Sequence, residues 1–167
     1  MTQEVKRSYL EINSIQDLEE VPKPSEDYSI NLLDPINFQL NKFFYKNIGK
    51  KHRWVDRLVW MESKWIDYVS NEKVKTYVFK YKNDLAGFFE LIFHYEKNEV
   101  EIAYFGLLDE YQNKKLGSYL LYEAIKRSFV KDINRVWVHT CTLDHKNALN
   151  NYISRGMKIF KTEIIRI

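Results

Sequence analysis

Gln112-Asn113-Lys114-Lys115-Leu116-Gly117-Ser118 is the stretch on which the reading of this chain turns. An apolar run, Ile102 to Leu108, leads into it, and an amphipathic stretch, Leu116 to Phe129, leads out. Strand, tight basic turn and helix start follow one another. A helix N-terminus leaves backbone N–H groups unpaired and carries partial positive charge, so it accepts a phosphate readily. Lys114 and Lys115 add full charge and mobile donors beside it. The expectation is a turn that holds a pyrophosphate, with the remaining chain presenting a reactive group to whatever the pyrophosphate carries.

Upstream of the turn, three alternating segments read as strands: Val74 to Tyr81, Leu85 to His94 and Glu99 to Leu108. The short connections Asn83-Asp84 and Glu96-Lys97-Asn98 make them an antiparallel meander. Gly87 marks a bulge or a close backbone approach. Downstream, Leu120, Leu121, Ala124, Ile125 and Phe129 form the inward stripe of a helix. A strand from Asn134 to Cys141 follows, and reaching it through a helix implies a parallel crossover. Asp144 is expected to cap a last helix bearing Ala148, Leu149, Tyr152 and Ile153, with Gly156 as its stop and Met157 to Ile165 as the closing strand.

The first third reads less regularly. Residues 5–12 can form an edge strand, and Val21 to Asp27, with two prolines, is a connector. Residues 1–27 are therefore expected as an N-terminal extension and residues 28–167 as the domain proper. Tyr28 to Leu33 reads as the first core strand. Asp34 and Pro35 suit a cap and first turn, and Phe38, Leu40, Phe43, Phe44 and Ile48 recur at helical spacing up to Gly49. A basic, aromatic loop precedes a second helix from about Leu58 to Val69. The order β-α-α-β-β-β-α-β-α-β describes a single α/β domain with a mixed central sheet and helices on both faces.

Composition sets bounds. The 167 residues suit one domain. A net charge of +3, dispersed along the chain, is compatible with anionic small molecules and makes no case for nucleic acid. Cys141 is the only cysteine, so an intramolecular disulfide is excluded and a cysteine-based zinc site is not expected. The start lacks the apolar run of a signal peptide, and no stretch approaches the roughly 20 apolar residues of a membrane helix. A cytoplasmic domain, with no membrane partner and no metal, is the expectation.

With these patterns in place, the chain resembles the GCN5-related N-acetyltransferases. The element order from Tyr28 to Ile165 matches, and so do two motifs. The family's pyrophosphate loop, Gln/Arg-x-x-Gly-x-Gly/Ala, corresponds to Gln112-Asn113-Lys114-Lys115-Leu116-Gly117, and Asn-x-x-x-x-Tyr-x-x-x-Gly corresponds to Asn147, Tyr152 and Gly156. Lys115 stands where the family has its first glycine. If that position requires positive φ, the lysine carries a strain that glycine avoids; if not, it simply adds an ammonium.

The resemblance implies acetyl transfer from acetyl-CoA to an amine by direct transfer in a ternary complex, on a small molecule or a protein, by a monomer or homodimer. A catalytically weak acyl-CoA-binding regulatory domain is the alternative. Cofactor contacts are expected from Gln112, Asn113, Lys114, Lys115, Leu116, Gly117, Ser118 and Asn147, and from backbone groups of Leu107 and Leu108 pairing with the pantetheine arm. Tyr152, protonated at neutral pH, is the expected acid for the leaving thiolate. Glu101 is the expected base and Glu90, on the neighbouring strand, its competitor; His139 and His145 rank below them. The loop residues His52, Trp54, Asp56 and Arg57, with Trp60 and Trp65, are candidates for the acceptor pocket, whose choice of amine the sequence leaves open.

Overall fold

The computed structural model describes residues 3–166. Seven strands and four α-helices run in the order β1 (Glu4–Ile12), β2 (Tyr28–Leu32), α1 (Phe38–Gly49), α2 (Glu62–Ser70), β3 (Val74–Tyr81), β4 (Asp84–His94), β5 (Glu99–Leu107), α3 (Leu116–Ser128), β6 (Arg135–Cys141), α4 (Ala148–Ser154) and β7 (Lys158–Arg166). The strands form one mixed sheet ordered β2-β3-β4-β5-β6-β1-β7. All neighbours are antiparallel except β5 and β6, which the α3 crossover makes parallel.

Strand alternation gives each sheet face its own core. Val78 and Phe88 pack with Phe44 and Ile48 of α1. Their neighbours Phe79 and Phe89 join the larger cluster of Leu120, Leu121, Ala124 and Ile125 from α3. Successive side chains of β3 and β4 therefore point to opposite helical layers. Phe44 is fully buried and its ring stacks on Phe88 at 5.0 Å between centroids. Side chains of this size stabilise by about 1.5–3 kcal/mol each on burial.

The N-terminal strand is not an edge strand. β1 pairs with β6 along one side and β7 along the other, and Val5, Leu10 and Ile12 are buried. The edges are β2 and β7. Alternation predicts a strand but not its neighbours, and here the returning β7 covers the side left open. Helix starts also move. The side chain of Asn37, not Asp34, accepts from Leu40 N–H at 3.2 Å to cap α1. α2 begins at Glu62, leaving Leu58 and Val59 exposed in the preceding loop. Asp144 does not cap α4; its carboxylate receives Thr140 Oγ1 and the backbone N–H of Cys141, closing the turn after β6.

Gly87 is both a bulge site and a close approach. The β3–β4 register shifts beside it, and an added Cβ would lie 2.5 Å from the carbonyl oxygen of Gly106. Gly156 ends α4 at φ +109°, where a Cβ would meet the Asp17 carbonyl at 2.1 Å.

Candidate active site

The sheet is forked. β5 and β6 pair only over Glu99↔Arg135, Val100↔Val136 and Glu101↔Trp137. Beyond Glu101 the β4–β5 register shifts, from Leu91↔Ile102 to Glu90↔Tyr104, which leaves Ala103 as an extra residue. Such a bulge bends its strand, and β5 diverges from β6 at this point. A cleft of about 1420 Å³ opens in the gap, walled by Glu101, Tyr104, Phe105 and Leu107 on one side and Val138, His139 and Cys141 on the other.

The 112–118 turn closes one end of the cleft. Asn113 and Lys115 have φ +61° and +63°, and Lys115 is the N-cap of α3. Left-handed residues among right-handed ones turn successive N–H groups to one side, forming an anion-binding concavity. No side chain caps α3 and no acidic residue lies in its first turn. Gln112, Asn113, Lys115, Leu116, Gly117 and Ser118 all face the cleft. This donor set fits a pyrophosphate. Lys115 therefore does occupy the conformation that glycine adopts without strain, at a cost of about 1 kcal/mol for an L side chain. Gln112 Nε2 donates to the Leu107 carbonyl at 3.2 Å, tying the turn to the end of β5.

The side chains of two residues expected at the cofactor lie elsewhere. The Lys114 ammonium sits over the Tyr111 ring, 5.8 Å from its centroid, outside the cleft wall. Leu108 N–H donates to Ala86 O at 2.8 Å, and its side chain packs against the α1 cluster. Its N–H is thus spent on β4. Ladder alternation turns the N–H of Leu107 the other way, toward the gap.

α4 supplies the opposite wall. Tyr152 is 7 % exposed, faces the cleft, and lies against Phe105 with ring centroids 6.5 Å apart. Burial, and then the charge of Asp144, push its phenol well above the ordinary tyrosine range, keeping it a neutral proton donor. Asn147 opens α4 without a side-chain capping bond and faces the cleft. Asn151 was not singled out from sequence, yet its Nδ2 donates to Gly117 O at 3.1 Å and joins the tyrosine helix to the turn. Its spacing from Asn147, one helical turn on, is the signal that could have found it.

The two glutamates separate cleanly. Glu101 lies in the cleft wall, with its Oε1 3.2 Å from His94 Nε2. Glu90 is fully buried outside that wall. It receives Arg57 Nη1 at 2.8 Å and Nη2 at 2.7 Å, the Tyr68 hydroxyl at 2.5 Å and Asn41 Nδ2 at 3.0 Å. Both oxygens are engaged, so Glu90 is an internal counter-ion and not the base expected as an alternative. Burial disfavours the charge on Arg57, but the Glu90 hydrogen bonds and charge outweigh it and hold the guanidinium protonated. The pair pins the loop between α1 and α2 to the sheet.

That loop forms the far end of the cleft. Trp54, Asp56, Trp60, Asp67, Tyr68 and Tyr104 line it. His52 Nδ1 lies 3.0 Å from Leu143 O, linking the loop to the turn after β6. Trp65, in contrast, is fully buried and belongs to the core. His139, Cys141 and His145 face the cleft, and burial raises the Cys141 thiol pKa. One continuous space thus joins an anion cradle, a neutral phenol, a carboxylate and an aromatic chamber.

Comparisons with known proteins agree with this fold. A GCN5-related N-acetyltransferase from Kribbella flavida superposes with TM-score 0.67 at 14% identity, covering 99% of this chain and 58% of the other. A second, from Sphaerobacter thermophilus, gives TM-score 0.73 at 11% identity over 97% of this chain and 50% of the other. This chain thus spans about half the length of these two relatives. A Bacillus subtilis acetyltransferase in complex with CoA gives TM-score 0.55 at 19% identity, covering 77% of this chain and 75% of the other. No curated protein matches the chain in sequence. The acetyltransferase (GNAT) family profile matches residues 37–157, a span from the cap of α1 through the forked strands and the 112–118 turn to the end of the tyrosine helix, and the chain belongs to that family.

Proposed function

We propose that this protein transfers an acetyl group from acetyl-CoA to an amine by direct transfer in a ternary complex. The observation that carries the reading is the convergence of the 112–118 cradle, Tyr152 and Glu101 on one cleft at the fork between β5 and β6. Gln112, Asn113, Lys115, Leu116, Gly117 and Ser118 would hold the pyrophosphate, with Leu107 N–H and Asn147 along the pantetheine. Bound there, acetyl-CoA supplies an activated thioester. Glu101 takes the one proton that a neutral acceptor amine must shed on becoming an amide. Tyr152 gives its phenolic proton to the departing sulfur, and its buried site keeps that proton in place at neutral pH. The proton gained at Glu101 and the proton lost at Tyr152 balance over one turnover once both exchange with solvent.

A thiol-release assay over a panel of amines, with product masses read out, tests the activity. Raised melting temperature with millimolar acetyl-CoA tests the cofactor separately. Absence of both effects would overturn the proposal.

A further inference from the structure

A second concavity of about 540 Å³ lies beside the acceptor end of the cleft, and Trp54 lines both spaces. Its walls are Gln39, Lys42, Phe43, Lys46, Lys50 and Leu58, with Asn47 between them. Lys42, Lys46 and Lys50 recur every fourth residue from α1 into its C-cap, so they form one row with about 6 Å between successive Cα levels. Among the described residues no carboxylate lines this groove. Among the described residues none of the three lysines is in an ion pair, although the adjacent Lys51 pairs with Asp109 at 3.0 Å. Phe43 and Leu58 present exposed apolar surface within it, and Val59 and Met61, which follow Leu58 in the chain, are 84 % and 76 % exposed.

The cleft beyond Trp54, unlike the groove, holds carboxylates. Asp56, Asp67 and Glu101 line the acceptor end. Arg57 is neutralised by its bidentate contact with Glu90, and Arg53 and Lys64 also line the cleft, so the three carboxylates outnumber the remaining cations by one. The two spaces therefore differ: carboxylates are available where an amine must enter, whereas the groove immediately outside holds lysines and apolar side chains with no carboxylate among the described residues. We infer that the acceptor is a peptide or protein segment whose free amine enters the cleft while a following acidic, partly apolar stretch lies in the α1 groove. Carboxylates on alternate residues of an extended peptide stand about 6.7 Å apart, and those four residues apart on a helix about 6 Å, so either form matches the lysine row. The apolar side chains between them would cover Phe43 and Leu58. This inference rests on the acetyltransferase reading only for the fate of the amine; the groove's preference for an acidic segment is separable from it.

The experiment is fluorescence anisotropy at low salt, without acetyl-CoA, using two C-terminally labelled peptides with free N-termini. One is Ser-Asp-Leu-Asp-Glu-Leu-Glu-Gly; the other replaces each Asp and Glu by Asn and Gln. The protein is compared with its Lys42→Glu/Lys46→Glu/Lys50→Glu variant, whose acetyl-CoA melting shift reports an intact cofactor site. We expect the acidic peptide to bind about tenfold tighter than its amide twin, and the variant to lose that difference. Equal binding of the twins, or a preference unchanged in the variant, overturns the inference. Lysine-dependent sedimentation with phosphatidylserine vesicles, with no peptide preference, would overturn it in favour of a lipid surface. An enzyme that shows the peptide preference but no acetyl-CoA shift would keep the groove and remove the acetyltransferase reading.

Discussion

Replacing Glu90 by Ala should cost far more stability than its position on a mid-sheet strand suggests. The carboxylate is fully buried and accepts four hydrogen bonds, two of them from Arg57, whose side chain is only 8 % exposed. Its removal leaves the guanidinium without a counter-ion in a box of aromatic rings, with Tyr104 and Tyr68 centroids 4.4 and 4.3 Å away. Breaking one half of a buried pair costs about 3–5 kcal/mol. For a domain of this size each kcal/mol moves Tm by about 2–4 °C, so Glu90→Ala should melt roughly 6–20 °C lower. Removing both halves, as Glu90→Leu/Arg57→Met, should recover most of the loss, because no charge is then left uncompensated. Differential scanning calorimetry of the three proteins reads this directly. A Glu90→Ala variant within 2 °C of the parent, or a double variant no better than the single, would refute the account of Glu90 as an internal counter-ion.

Glu101→Gln, in contrast, should leave Tm within a few degrees and lower kcat about 100-fold in steady-state thiol release. Tyr152→Phe should lower kcat by a similar factor while the acetyl-CoA melting shift persists. Because burial raises the phenol pKa of Tyr152, that acid stays protonated as pH rises, and the rate should show no loss of the acid between pH 8 and 10. The folded pKa values of Tyr68, Tyr104 and Tyr152 are all raised above the unfolded value near 10, first by burial. The unfolded state then releases protons before the folded one, so stability is full below pH 10 and should fall as pH climbs past it, measured by urea midpoints from pH 8 to 11. Lys115→Gly removes the left-handed strain but adds backbone freedom, and the two nearly cancel, so stability should change by less than about 1 kcal/mol. Its acetyl-CoA KM should rise several-fold if the ammonium serves the phosphates.

Much of the molecule is legible in local sequence. The meander, the α3 crossover and the tyrosine helix each announce themselves by period, turn residues and length, because those signals act between residues a few positions apart. The 112–118 turn is of the same kind: its N–H groups are consecutive, so neighbours in sequence are necessarily neighbours in the site. What escaped is non-local. Whether β1 lies at an edge depends on where β7 returns, more than 140 residues later in the chain. Which glutamate faces the cleft depends on the Ala103 bulge and on Arg57, 33 residues before Glu90. Glu90 and Glu101 are both strand carboxylates in sequence; only packing gives one a buried cation and the other an open wall. The sequence by itself determined the order of the elements and the basic turn that opens α3. The tertiary structure alone decided the fork, the placement of the Lys114 and Leu108 side chains outside the cleft and the different surroundings of the two glutamates, because pairing across long chain separations is set by how the layers close and not by any local pattern.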